Sequence, residues 1–292
     1  MILVTGANGN AGAQVVRALV ARGRDVRAFV RDPDKAYSRF GDAVALAVGD
    51  FADPQSFQTA LKGVDELVLS CADDPRRVGW ETAAIDAAAA AGVRRIVKLS
   101  TIAAAPGAPV AFWDWHGQVE EHLRRSGLET VILRSSPYMT NVLEAAEQVA
   151  RDGRLYVPAG EARIAMIDPV DVGAAAASVL TAAGHDGRTY VLTGPAAITY
   201  ADVAAALSVA TGREVAFVDV PGEAAKQGMI QSGLPEAVAA EIVAVYAQLR
   251  QGAAEQVTAT VEALTGRPPR DFAAFAREHA SRFEPAMAGA GR

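Results

Sequence analysis

The chain opens Met1-Ile2-Leu3-Val4-Thr5-Gly6-Ala7-Asn8-Gly9-Asn10-Ala11-Gly12, and these twelve residues constrain the fold more than any others. Ile2, Leu3 and Val4 form a short apolar run that stops at Thr5-Gly6. Past Gly12 the apolar residues change period, with Val15, Val16, Leu19 and Val20 at helical spacing. The order is strand, glycine turn, helix. The glycines read GxxGxxG, where the commoner dinucleotide fingerprint reads GxGxxG. Both patterns meet the same need. A pyrophosphate lying on a helix N-terminus requires free main-chain N–H groups and no Cβ in its path. Gly6 is expected to permit the tight turn, Gly9 to let the backbone approach phosphate, and Gly12 to let the helix pack on the strand. Thr5, Asn8, Asn10 and Ala11 share the turn and are expected to contact the same ligand.

With 292 residues, 51% of them hydrophobic and 21% charged, the chain is long enough and apolar enough for a large α/β domain with a smaller lobe. A net charge of −6 and no dense run of Lys and Arg argue against nucleic acid or an anionic membrane as partner. No apolar stretch reaches the roughly 18 residues of a membrane span, and Met1 leads into a strand without a basic leader. A cytoplasmic protein is expected, and the single cysteine, Cys71, agrees with a reducing compartment. No CxxC, HExxH or Cys/His cluster offers a metal a home.

Strand-like and helix-like stretches then alternate. Residues 26–30, 44–48, 64–70, 95–99 and 130–133 read as further strands, with helical patterns at about 10–22, 54–62, 80–91 and 115–126. Apolar strands separated by helices imply a parallel sheet covered on both faces. The expected fold is α/β, a Rossmann-type doubly wound parallel sheet with a smaller C-terminal α+β lobe. Residues 1–150 are assigned to the nucleotide-binding domain and 151–283 to the lobe, parts of which cross back to the sheet. The tail from Glu284 is Ala/Gly-rich and is expected to be disordered. Within the lobe, 154–157, 162–166, 190–192 and 214–218 read as strands, and 169–183, 199–211, 235–250 and 270–280 as helices. A monomer and a homodimer are both compatible with the alanine-rich helices.

In such a sheet the ligand crevice lies at the C-terminal strand ends. Arg31 follows the second strand, where an acidic residue would hold the ribose hydroxyls of NAD. An arginine there suits the 2′-phosphate of NADP, so NADPH is expected over NADH. Asp50 and Phe51 follow the third strand, placed to flank an adenine. Ser70, Cys71 and Ala72 follow the fourth and are expected beneath the pyrophosphate and nicotinamide ribose, with Cys71 as packing rather than nucleophile. Ser100 follows the fifth, where a hydroxyl serves equally to hold a substrate carbonyl or to cap the loop. Residues 106–116 read as a loop entering a helix capped by Asp114. Its Phe112, Trp113 and Trp115 either line a pocket for a flat substrate or staple the helix to the sheet. Pro137, Tyr138 and Asn141, after the sixth strand, are expected over the cofactor, with Tyr138 and Met139 beside the substrate.

These residues together resemble the NmrA-like branch of the atypical short-chain dehydrogenases. The likeness rests on the turn Thr5–Gly12 with Arg31-Asp32, on the run from His116 through Ser126-Gly127-Leu128 to Arg134, on Pro137–Asn141, and on Leu192–Pro195 with Thr199–Val203. It extends over about residues 1–280 and implies a Rossmann fold that binds NADP(H). Within the family the chain is most similar to NADPH-dependent quinone and triphenylmethane-dye reductases, which implies a small flat acceptor as substrate. One departure stands out. Ordinary short-chain dehydrogenases carry a Tyr-x-x-x-Lys pair, and the resemblance puts Phe112 at the tyrosine and His116 at the lysine. A phenyl ring donates no proton. His116 then either bonds a ribose hydroxyl, relays a proton, or sits buried and satisfied. The missing acid also leaves open a redox sensor without turnover, or a reductase for one specialised metabolite.

Overall fold

The structure, a computed structural model, describes residues 1–285, so most of the tail expected from Glu284 lies outside the described residues. Along the chain run β1 (Ile2–Val4), α1 (Asn10–Val20), β2 (Val26–Val30), α2 (Pro33–Phe40), β3 (Ala45–Val48), α3 (Pro54–Ala60), β4 (Glu66–Leu69), α4 (Arg77–Ala90), β5 (Arg95–Thr101), α5 (Ala111–Arg125) and β6 (Glu129–Ser135). Then follow α6 (Ala146–Asp152), β7 (Arg154–Val157), α7 (Pro169–Thr181), β8 (Thr189–Leu192), α8 (Tyr200–Thr211), β9 (Ala216–Asp219), α9 (Gly222–Gln231), α10 (Glu236–Leu249), α11 (Thr260–Thr265) and α12 (Phe272–Glu278).

Two compact units share these elements. The first comprises Met1–Ser135, Pro169–Leu192 and Thr260–Pro268. Its seven-stranded sheet runs β3-β2-β1-β4-β5-β6-β8, and every pairing in it is parallel. From β1 the chain winds outward through β2 and β3, then returns to β4 on the other side. That reversal beside β1 is where an open sheet of this kind leaves its ligand crevice. Leu3, Phe29, Leu67, Ile96 and Ile132 of the strands pack with Phe57, Ile85, Val119 and Leu123 of the helices in one core. Helices α1 and α7 lie so close that a Cβ on Gly173 would stand 2.5 Å from the Gln14 carbonyl carbon.

The second unit comprises Ser136–Asp168, Thr193–Ala259 and the chain from Pro269. It holds the parallel pair β7-β9, with α6, α8, α9, α10 and α12. Helix α8 starts with a capping box between Thr199 and Asp202. Tyr200 packs on Phe217 and Tyr246, and its hydroxyl lies 3.0 Å from that of Tyr246.

The architecture is the doubly wound sheet expected from the sequence. The chain leaves the first unit at Ser135, where β6 ends, and rejoins it at Pro169, so that β8 pairs with β6 and extends the sheet by a strand. Residues 162–166 form no strand. Their main-chain bonds go to Ile198, Ala254 and Gly194 in turn, leaving one bridge at Ile164 and no continuous ladder. Helices α2, α6, α9 and α11 were not expected; α6 is a two-turn helix that buries Ala146 and Val149. The other three give even less signal. Their apolar stripes are weak, with Ala36 and Val261 the buried residues of α2 and α11 and none buried in α9.

Candidate functional site

The glycine turn occupies the C-terminal end of the central strand. Gly6 has φ +62°, a left-handed conformation that a side chain resists. A Cβ on Gly12 would stand 2.2 Å from the Gly6 carbonyl oxygen, and one on Gly9 would stand 3.1 Å from the same atom. The turn is therefore closed on itself, and α1 begins at Asn10 with Gly9 as its N-cap and no capping side chain. The first N–H groups of a helix lack partners inside it and carry its positive end. Thr5 plays a different part from the one expected. It is fully buried, its Oγ1 donates to the Ser70 carbonyl at 2.8 Å, and it accepts from the Ser70 N–H at 2.8 Å. Its side chain joins β1 to β4 and is closed off from solvent.

Asn8 reaches sideways to the end of β2. Its Nδ2 donates to the Asp32 carbonyl at 2.9 Å, and Arg39 of α2 donates to the Asn8 carbonyl at 2.8 Å. Arg31 extends into solvent near Asp50, and Asp50 accepts from Ala52 N–H at 2.8 Å. Phe51 is not free to flank an adenine on both faces. Its ring lies 5.7 Å from Phe29 and 5.5 Å from Phe57, half-buried on the core. Cys71 is half-buried. Burial first, then the charge of Glu81, pushes its thiol up to about 11, so it stays protonated and is no nucleophile. Ala72 is exposed.

Beyond Cys71 the first unit contains a buried polar network that the sequence reading reached only in part. Arg77, first residue of α4, donates through Nη1 to Asp73 at 2.5 Å and through Nη2 to the Cys71 carbonyl. The same Nη1 lies 2.7 Å from His116 Nε2. A guanidinium only donates, so Nε2 carries the lone pair and the imidazole proton sits on Nδ1. Nδ1 lies 3.3 Å from Ser100 Oγ, which donates its own proton to Glu120 at 2.6 Å. Arg134 closes the chain by donating to both Glu120 oxygens, at 3.0 and 2.6 Å, and Arg124 adds a bond at 2.8 Å. Below lies a second pair, Lys98 on β5 with Glu81 on α4 at 2.9 Å, both fully buried. Burial, then the charges of Lys98, Arg77 and Arg134, hold the His116 pKa well below its usual value. Burial likewise lowers that of Lys98.

The expectation for Ser100 changes here, and of the three readings open for His116 the contacts match the buried one. Ser100 is buried and its hydroxyl is engaged between His116 and Glu120, so it neither caps a loop nor presents itself to a substrate. His116 is neutral, with both nitrogens engaged, and sits in the second turn of α5 and not at its start. The helix begins at Ala111 with Val110 as N-cap, so Asp114 is no cap. Its carboxylate accepts from the Gly107 N–H at 2.7 Å. Starting the helix early also splits the aromatic trio, because successive residues of a helix point about 100° apart. Trp113 is buried, while Phe112 and Trp115, one turn apart and half-exposed, meet edge to face at 5.5 Å.

In the second unit, Tyr138 is half-buried, bridged to Ile167, and Asn141 is exposed. The Pro137 carbonyl accepts from Ile167 N–H at 3.0 Å. Met139 is buried at 1% exposure, and its methyl would lie 3.7 Å from a Cβ on Gly194. It fills that unit's interior and does not line an open pocket.

The sequence reading missed Arg77, Glu81, Lys98, Glu120 and Arg134. Signals existed. Lys98 interrupts the apolar run of β5, and Arg77/Glu81 and His116/Glu120 are pairs four apart on one helical face.

Residues 1–274 match the model of the NmrA-like family. The NAD(P)H azoreductase of Xenophilus azovorans is 38% identical over 283 residues, covering 97% of this chain and 99% of that protein. The crystal structure of the NADPH-dependent quinone oxidoreductase from Escherichia coli complexed with NADPH superposes with a TM-score of 0.86. Its identity is 29%, with 95% of this chain and 99% of that chain covered. Triphenylmethane reductase from Citrobacter sp., complexed with NADP(H), gives a TM-score of 0.85 at 25% identity, covering 96% and 100%.

Proposed function

The chain belongs to the NmrA-like family, and from that premise we propose that it is an NADPH-dependent oxidoreductase reducing quinones or similar flat conjugated acceptors. The observation that carries the cofactor is the closed turn Gly6–Gly9–Gly12 at the end of the central strand, with α1 opening directly behind it. That turn fits a pyrophosphate, since a side chain on Gly12 would collide with its backbone and Gly9 leaves none in the way. When bound, NADPH supplies the hydride.

The chain's own residues divide the remaining work. The N–H groups that open α1 receive the phosphates. Arg31, extended and free of strong competition, takes the 2′-phosphate, and Asn8 with Arg39 straps the turn to β2 beside it. Asp50, and the exposed edge of Phe51, border the adenosine end. The loop Ser70-Cys71-Ala72 would border the pyrophosphate and nicotinamide ribose. Phe112 and Trp115, half-exposed on the same unit, would border the acceptor site.

Phe112, Ser100 and His116, which the resemblance brings to the reacting end, hold no proton ready to give. Phe112 has no hydroxyl, Ser100 donates to Glu120, and His116 is neutral with Nδ1–H turned to Ser100. Such a site suits acceptors whose reduced anion is stabilised by delocalisation, with water bringing the proton afterwards. Positioning then supplies most of the rate. Quinones are acceptors of that kind, and a cationic dye needs no proton at all, since hydride added to it gives a neutral molecule. The lone, protonated Cys71 goes with a cytoplasmic setting.

The test is steady-state NADPH oxidation with a panel of quinones, azo dyes and triphenylmethane dyes. Turnover with at least one class supports the reading. Tight NADPH binding with no turnover across the panel would overturn it in favour of a sensor.

A further inference from the structure

Arg77 joins three pieces of the first unit. It begins α4, its Nη2 donates to the Cys71 carbonyl in the loop after β4, and its Nη1 meets His116 Nε2 on α5 at 2.7 Å. Its side chain is only 4% exposed. We propose that Arg77 is a positioning residue of the cofactor site, holding the loop Ser70–Ala72 against α5 by bonding the Cys71 carbonyl and His116 at once. This rests on the reading that the loop borders the pyrophosphate and nicotinamide ribose.

The geometry asks for a guanidinium. A planar fork aims donors in two directions, whereas a lysine ammonium is one compact centre. The fork's outer edge meets Asp73, and its Nε lies 3.5 Å from Glu81. The arrangement also fixes the partner. Because Nε2 accepts from Arg77, the ring proton is on Nδ1, and Ser100 relays that orientation to Glu120 and Arg134. A proton added at Nε2 would set two cations face to face and release the loop. The groups that surround the imidazole work against that proton. Lys98 on β5, Arg134 on β6 and Arg77 on α4 are positive, and the carboxylates nearby are already paired: Asp73 and Glu81 with Arg77, Glu81 again with Lys98, Glu120 with Arg134. The loop is thus held by a histidine that must stay neutral.

The test uses wild-type protein, R77Q and R77K, each checked for folding by its melting curve. Ring-nitrogen NMR on the ligand-free protein reads the His116 tautomer and its titration, and calorimetry reads NADPH affinity. Wild type is expected to keep His116 neutral with the proton on Nδ1 from neutral pH down into the mildly acidic range. R77Q is expected to let the proton move to Nε2, and both variants to weaken NADPH about tenfold, the effect of leaving a buried carbonyl unpaired. Should R77Q fail to fold, the same loss of affinity in R77K carries the test. A wild-type ring with its proton on Nε2 overturns the assignment of Arg77. So do variants that bind NADPH as tightly as wild type with His116 unchanged. Wild-type protein that binds no NADPH overturns the cofactor reading instead, and the role of Arg77 with it.

Discussion

Arg31 Nη1 stands 3.8 Å from Asp50 Oδ2, with 76% of the arginine side chain and 39% of the aspartate exposed. An ion pair so open and so long is worth little, about 0–1 kcal/mol. It orients the guanidinium without occupying it, and a phosphate dianion at the same place would displace the carboxylate readily.

Arg31→Ala is therefore expected to raise the KM for NADPH by roughly ten- to a hundredfold, the worth of a charge-assisted bond of about 1.5–3 kcal/mol, and to leave NADH nearly unchanged. Initial rates with the two coenzymes check it. Equal losses for both would show that the 2′-phosphate is held elsewhere. Asp50→Asn is expected to shift the ratio slightly toward NADPH.

Gly12→Ala and Gly9→Ala should differ in severity. At Gly12 the new Cβ would stand 2.2 Å from a carbonyl oxygen, so α1 must move, with a cost of about 1–3 kcal/mol expected and NADPH binding lost. At Gly9 the contact is 3.1 Å, which a few tenths of an ångström relieves. Gly9→Ala should therefore keep the fold and lose mainly phosphate affinity. Melting curves and calorimetry separate the two effects.

Lys98→Met leaves Glu81 without its buried ammonium partner and is expected to destabilise the fold by about 3–5 kcal/mol. Adding Glu81→Leu should recover part of that loss, since an apolar pair avoids the desolvation of two ions. Denaturant titration of the single and double variants decides it. A double variant less stable than Lys98→Met would show that Glu81 is held chiefly by Arg77.

The depressed pKa of His116 makes stability depend on pH. The unfolded chain takes up a proton at the ordinary histidine value of about 6.5, which the folded chain refuses. Stability is thus fully present above about pH 6.5 and falls as the pH drops below it, by up to about 1.4 kcal/mol per pH unit for this one group. His116→Gln should flatten that slope. Thermal melts of both proteins between neutral and mildly acidic pH measure it, and parallel slopes would place the effect in another residue.

Much of this architecture was legible in the sequence because it rests on period and punctuation. The turn Thr5–Gly12, β2, β4, β5 and β6 announce themselves by apolar runs ending at small or polar residues, and the sheet follows from their alternation with helices. What stayed hidden was of another kind. Lys98, Glu81, Arg77 and Arg134 are charged residues whose burial depends on partners distant in sequence, and no local pattern shows that their charges cancel. Thr5 and Ser100 were read as ligands because they sit where ligands sit. Hydroxyls at strand ends serve equally well to fasten neighbouring elements: Thr5 ties β1 to the end of β4, and Ser100 ties β5 to α5. Trp113 and Met139 went astray for a simpler reason: an irregular loop was expected where helix α5 and a packed interior segment occur.

The bonds between Thr5 and Ser70 cross 65 positions of the chain. A polypeptide leaving the ribosome thus exposes the turn Gly6–Gly12 well before β4, yet that turn acquires a fixed shape only after β4 has emerged and slotted in next to β1. Until then the glycines are merely flexible. Ability to hold a nucleotide should switch on abruptly between nascent chains that end before residue 66 and those that expose the whole sheet.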